Sequence, residues 1–210
     1  ELASFWRYAR TADSANLQDA QVADYTMLMS ASQGLVANEI LDSYDFTQHR
    51  LHLDIGGGDG TFAERAAMRA PLLQTMVFDL PAVAARAMAR FERSGLSGRS
   101  RAIGGDFFHN PLPRGADLIT FVRVLHDHDD EKVLIVLRAA FDALAPGGTL
   151  LIAEPLSGVR GAEAMADAYF GFYLMAMGSG HARCFEDIAK LLQRVGFSSI
   201  QQIRTPQPIQ

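Results

Sequence analysis

A chain of 210 residues, 49% hydrophobic and 20% charged, has the length and apolar content of one folded domain with a real core. Its net charge of −5 argues against a nucleic-acid partner or an anionic-membrane surface, which would need clustered Lys and Arg. Cys184 is the single cysteine, which excludes an internal disulfide and a multi-cysteine zinc site and fits a reducing compartment.

The first residues, ELASFWRYAR, lack the basic start and apolar core of a signal peptide. No apolar run reaches the roughly 18 residues of a membrane span. The expected location is the cytoplasm.

In chain order, apolar positions at helical spacing over 15–42 (Val22, Tyr25, Leu28, Met29, Leu35, Val36, Ile40, Leu41) predict one or two helices. Short apolar runs then predict strands at 51–55, 75–78, 101–103, 117–124, 149–153 and 199–203. Helix-compatible segments at 61–70, 82–92, 130–144, 162–176 and 185–195 separate most of them. Strands alternating with helices predict an α/β domain with a mostly parallel, doubly covered sheet. LITFV is apolar on both faces, as a buried central strand should be. Pro81 suits the first turn of a helix, and Pro146-Gly147-Gly148 reads as a sharp turn ahead of the strand at 149.

LDIGGGDGTF stands where the first strand should hand over to the first helix of the sheet. Glycines at 56, 58 and 60 allow a tight turn and close approach of a ligand. The dinucleotide fingerprint G-x-G-x-x-G fails, because its last position falls on Thr61. Asp54 precedes the loop, Asp79 ends the second strand, and Asp106 follows the third. Each acid alone reads as a cap or turn residue. Three of them with a glycine loop, each after a successive strand, point to a nucleoside across the strands' carboxyl ends.

LDIGGGDGTFAERA, VFDLPAV, GGDFFHNPLPRGADL, VRVLHDHDDEK and LAPGGTLLIAEPL follow one another in this order. The series resembles the S-adenosylmethionine-dependent O-methyltransferases of the caffeate/acetylserotonin type, bacterial members included, from about Tyr25 to Phe197. The resemblance implies a Rossmann-like class I methyltransferase fold, with S-adenosyl-L-methionine as donor and S-adenosyl-L-homocysteine as product. It implies that Gly56 lines the methionine portion, Asp79 the ribose, and Asp106 with Phe107 the adenine. Asp54, Gly58, Leu80 and Arg123 complete the expected cofactor set.

In FVRVLHDHDDEK, the residues alone leave His126 as a metal ligand, a general base or part of a solvated turn. If 126–128 stay extended, His126 and His128 point to opposite faces, which disfavours a shared metal; none is expected. Asp127, Asp129, Asp130 and Glu131 suit the N-terminus of the helix near 130. That leaves unexplained a histidine at the end of a buried strand. In the resembling family the LHD histidine is the general base, a role that falls on His126. With an ordinary pKa near 6.5, its ring would be mostly neutral at cytosolic pH.

The family orients this histidine with carboxylates. Glu154 matches the first; the second falls in GSGHARCFED, where this chain places Ala182, so Glu154 or Asp127 must suffice. Plant members carry a lysine where this chain has Val122.

The stretch MADAYFGFYLMAMG reads as ordinary core packing for about half of its side chains, yet methionines and aromatics also make adaptable pocket walls. The resemblance places Met29, Tyr169, Phe172, Tyr173, Met175 and Met177 at the acceptor. Few charges fall there, which implies a bulky, mostly apolar hydroxylated acceptor, reachable from a membrane surface if lipophilic. Within the family the sequence is similar to the carotenoid-pathway enzymes of purple photosynthetic bacteria, which methylate a tertiary hydroxyl of hydroxyneurosporene or demethylspheroidene. A phenolic or polyketide acceptor, a nicotinamide oxidoreductase and a non-catalytic adenosine-binding module remain alternatives.

The resemblance also divides the chain into 1–45, linking helices to an N-terminal dimerisation domain, and 46–210, the catalytic domain. It implies a homodimer for a full-length protein, and a final antiparallel strand that this chain does not complete.

Overall fold

The computed structural model describes residues 33–159 and 180–205. Expectations for the helices before residue 33, the helix at 162–176 and the acceptor residues Met29, Tyr169, Phe172, Tyr173, Met175 and Met177 lie outside the described residues.

Helix α1 is described over 33–43, and a 3-10 turn follows at Phe46–Gln48. Then come β1 (Leu51–Ile55), α2 (Thr61–Arg69), β2 (Gln74–Asp79), α3 (Pro81–Arg93), β3 (Ser100–Gly104) and β4 (Ala116–Val122). A second 3-10 turn at Leu125–Asp127 leads into α4 (Asp130–Ala143), β5 (Leu144–Ala153) and, after the undescribed stretch, α5 (Phe185–Val195). The strands lie in the order β3-β2-β1-β4-β5, and every described pairing is parallel.

The sheet is covered on both faces, which explains its near-continuous apolar strands. Leu53, Ile55, Ile119 and Phe121 pack with Val133, Val136 and Leu137 of α4 and Ile188, Leu191 and Leu192 of α5. Leu118 and Val122 point to the other face, against Val36, Ala37 and Ile40 of α1 and Phe62 and Ala66 of α2. Ala63 and Ala67 of α2 let Ala87 and Phe91 of α3 pack closely over Val77. Pro81 opens α3 as predicted.

Three strand expectations need correction. β4 stops at Val122, because Arg123 takes a left-handed φ of 59°, which leaves the ladder. β5 begins at Leu144, paired with Ala116; the chain then bulges out through Pro146-Gly147-Gly148 and pairing resumes between Leu118 and Thr149. Residues 199–203 form no strand. After α5, Phe197 packs edge-on against Phe141 at 5.0 Å, and Ser199 takes a φ of 55°, which turns the chain away from an extended course. Among the described residues no helix is long and apolar enough to cross a membrane.

Candidate active site

Parallel pairing brings the carboxyl ends of the five described strands to one edge. β1 delivers its alternate side chains to opposite faces, so Leu53 and Ile55 enter one core while His52 and Asp54 face the other side. Asp54 is fully buried and accepts the Thr120 hydroxyl proton at 2.6 Å, and Thr120 lies 2.7 Å from His52 Nε2. With its one proton given to Asp54, Thr120 must accept from His52. Burial holds that ring neutral, with a pKa of about 3. Burial also pushes Asp54 up to about 7, against the Thr120 hydrogen bond and with help from the charge of Asp79.

Beyond Ile55 the chain turns through Gly56 and Gly58, with φ of 68° and 61°. At Gly56 a Cβ would lie 2.8 Å from the Val124 side chain, so only glycine lets this loop sit against the end of β4. The Gly56 N–H donates to the Phe78 carbonyl at 2.8 Å. Asp79 ties the loop to α3: its carboxylate accepts the N–H of Gly58 at 2.8 Å and of Leu80 at 2.7 Å. Burial raises Asp79 to about 6 despite those two hydrogen bonds.

Arg90, which the sequence reading did not single out, pins the loop from α3. Its guanidinium meets the Asp59 carboxylate at 2.5 Å and Glu64 at 3.0 Å, and its Nε donates to the Asp59 carbonyl.

Asp106 is buried after β3 and closes its own turn, accepting the Phe108 N–H at 2.8 Å and facing His109 at 3.1 Å. Phe107 stands beside it, edge-on to Phe108 at 4.6 Å, and its ring would be 3.7 Å from a Cβ at Gly56. The structure thus brings Asp54, Gly56, Gly58, Asp79, Leu80, Asp106 and Phe107 to one edge.

His126 lies in the 3-10 turn after β4, so the assumption of an extended 126–128 stretch is corrected. The two rings nevertheless face different partners. His128 packs edge-on to Phe107 and Phe108, and burial lowers its pKa to about 4. His126 Nδ1 lies 2.5 Å from Glu154, and Nε2 lies 3.2 Å from Asp127. Glu154 also accepts the N–H groups of Val124 at 2.8 Å and Leu125 at 2.7 Å, so one carboxylate orders both ring and turn.

Burial alone would lower the His126 pKa. Asp127 and Glu154 outweigh it, and the value is raised above the ordinary imidazole range. The expected unperturbed, mostly neutral ring is therefore corrected: flanking carboxylates favour the imidazolium.

Arg123, whose N–H donates to the Ala153 carbonyl at 2.9 Å, precedes this turn. Arg183 closes its other side, donating to the carbonyls of Leu125 at 2.9 Å and His128 at 2.6 Å. Arg183 was missed; its only sequence signal was its place beside Ala182. Among the described residues no group of three or more His, Cys, Asp or Glu side chains is placed to hold a metal ion.

Residues 4–198 match the model of the O-methyltransferase domain family. The chain is 44% identical over 202 residues to the demethylspheroidene O-methyltransferase of Cereibacter sphaeroides, covering 96% of this chain and 53% of that protein. It is 36% identical over 172 residues to the acetylserotonin O-methyltransferase of Rattus norvegicus, covering 82% of this chain and 39% of that one. The chain thus spans about half, or less, of these curated relatives' length. Its structure superimposes with a TM-score of 0.75 and 30% identity on NcsB1, an O-methyltransferase from neocarzinostatin biosynthesis solved with S-adenosylmethionine and 2-hydroxy-5-methyl naphthoic acid, over 85% of this chain and 52% of that one. With the family match spanning nearly the whole chain, the chain belongs to the O-methyltransferase domain family.

Proposed function

We propose that this domain transfers a methyl group from S-adenosyl-L-methionine to a hydroxyl of a bulky apolar acceptor, with His126 as general base. The reading rests chiefly on the 2.5 Å contact between His126 Nδ1 and Glu154 at the strand edge that carries the glycine loop. The side chains present fit the cofactor. Gly58, where a Cβ would meet nothing within 4 Å, leaves the loop open to close approach, and the Asp79 carboxylate at the tip of β2 is placed to accept from hydroxyls. Bound there, the cofactor would offer an electrophilic sulfonium methyl and leave as S-adenosyl-L-homocysteine.

A carboxylate only accepts, so Glu154 keeps a proton on His126 Nδ1 and leaves Nε2 as the basic nitrogen. The 3.2 Å contact of Nε2 with Asp127 is the longer of the two. An acceptor hydroxyl can take that place and pass its proton to Nε2 while its oxygen bonds to the methyl carbon. Complete deprotonation by an ordinary imidazole would cost about 5 kcal/mol for a phenol and on the order of 12 kcal/mol for an aliphatic alcohol. The raised pKa of His126 reduces both. An alkoxide is still too costly for an aliphatic acceptor, so proton removal accompanies transfer, and the site's remaining work is alignment.

For the acceptor we favour the tertiary hydroxyl of a carotenoid, on the strength of the 44% identity to a demethylspheroidene enzyme. Radiolabelled methyl donor offered with hydroxylated carotenoids and with phenols tests this. Label on the carotenoid supports the reading; label on phenols alone overturns the acceptor, and donor binding without transfer to either class overturns the activity.

A further inference from the structure

We infer that Arg183 is a positioning residue for the transfer step, fixing from the carbonyl side the turn that presents His126. The inference rests on the proposed role of His126.

Glu154 holds this turn through donors alone: the N–H groups of Val124, Leu125 and His126 and the His126 ring. The outward carbonyls need a donor of their own, because a buried carbonyl left unpaired is costly. Arg183 supplies it. Nη1 donates to Leu125 O and Nη2 to His128 O, one residue before and two after His126. Nε donates to Asp130 in the first turn of α4 at 2.9 Å, so the same guanidinium spans turn and helix. Its side chain is 2% exposed, and the pairing with Asp130 gives this buried cation a counter-charge.

A second contact comes from the same segment. Gly180 lies so close that a Cβ there would overlap the His126 carbonyl, and its N–H donates to Asp129 at 3.2 Å. Residues 180–183 therefore press on the backbone of His126, opposite the acid that orders its ring. The planar fork of arginine matches carbonyls on both sides of the turn and the Asp130 carboxylate together. A lysine ammonium has the charge but not this geometry.

The test compares R183K, G180A, H126A and the double variants R183K/H126A and G180A/H126A in the full chain. It measures kcat at saturating donor, donor Kd by calorimetry, and thermal unfolding. R183K should lower kcat by about 10- to 100-fold while donor Kd stays within about twofold. On the H126A background it should cost less than about twofold, because two residues acting through one group are not additive. G180A, which pushes on the same carbonyl, should show the same pattern and stands in if R183K does not fold.

Wild-type kcat in both single variants overturns the inference, as does an equal fold-loss with and without His126. A loss explained wholly by weaker donor binding does so too. H126A with normal turnover overturns the His126 reading itself and this inference with it, a result visible without either neighbouring variant.

Discussion

His126 and Glu154 are joined twice: ring Nδ1 to carboxylate at 2.5 Å, and main-chain N–H to the same oxygen at 3.4 Å. Side chain and backbone are fixed by one acid, so ring orientation and turn conformation cannot vary independently. The glycine loop has restraints of its own in Asp79 and Arg90. His126→Ala should therefore lower kcat by about 10²-fold or more while leaving donor affinity nearly unchanged. Steady-state kinetics and calorimetry on the same preparation check the pair of outcomes; unchanged turnover removes His126 from the mechanism.

The two flanking carboxylates set a pH dependence. A base works only when deprotonated, and the His126 pKa is raised because Asp127 and Glu154 outweigh its burial. The ascending limb of kcat/KM, which reports the free enzyme, should have its midpoint above the ordinary imidazole value of about 6.5. In Asp127→Asn the midpoint should move to lower pH, since one of the two opposing charges is gone. A midpoint below the ordinary value in the wild-type chain contradicts this electrostatic account.

Glu154→Gln changes one atom yet places an amide among donors. Glu154 accepts N–H groups from Val124, Leu125 and His126 in a buried site, and an amide can satisfy only part of that set. The cost should be about 1.5–3 kcal/mol of folding stability, the scale of losing charge-assisted hydrogen bonds. Urea unfolding at neutral pH measures it. A variant as stable as the parent shows that Glu154 does not order the turn.

Local signals in the sequence were read well, and long-range ones were not. The strand–glycine loop–helix run at 51–69 and Pro81 at the head of α3 are set by neighbours in the chain, and both formed where predicted. The pairing of His126 with Glu154, 28 residues apart, was legible only through the family resemblance. Arg183 and Arg90 had no such guide: the partners that define their roles lie 26 to 58 residues away, and an isolated arginine in sequence carries no mark of its acceptors. The strand expected at 199–203 failed for a related reason. Ile200 and Ile203 are three residues apart and do not alternate as a half-buried strand would, and the packing of Phe197 on Phe141 and the positive φ at Ser199 decided the path. The raised pKa of His126 was hidden too, since it depends on two carboxylates meeting one buried ring.

Gly56→Ala should damage donor binding more than stability. The new Cβ would meet Val124 at 2.8 Å in a left-handed backbone, a strain of about 1–3 kcal/mol. Relieving that overlap would shift the loop along which the cofactor is proposed to lie. Donor affinity should fall at least about tenfold, equivalent to about 1.4 kcal/mol. Adding Val124→Ala removes the overlap but not the backbone strain, so it should restore part of the stability. Calorimetry and thermal unfolding on both variants separate the two effects. Full donor affinity in Gly56→Ala means that the cofactor does not lie against this glycine.

The buried chain His52–Thr120–Asp54 makes a prediction about the donor-free protein. Asp54 is raised from its ordinary 3.8 to about 7, chiefly by burial, so the folded state holds a proton that the unfolded chain has already released. Stability from this group is full below the ordinary value and is lost as pH rises through the folded one. His126 has the same sign, because its raised pKa also makes the folded state the better proton binder. The unfolding free energy contributed by Asp54 should therefore decline between about pH 4 and 7, and that from His126 only above about 6.5. In Asp54→Asn, which keeps an acceptor for Thr120 but cannot ionise, stability should fall less, or rise more, with pH over this range than in the parent, the buried His52 and His128 contributing with the opposite sign in both. Urea titrations at several pH values measure the two slopes, and parallel slopes would mean that Asp54 is ionised throughout this range.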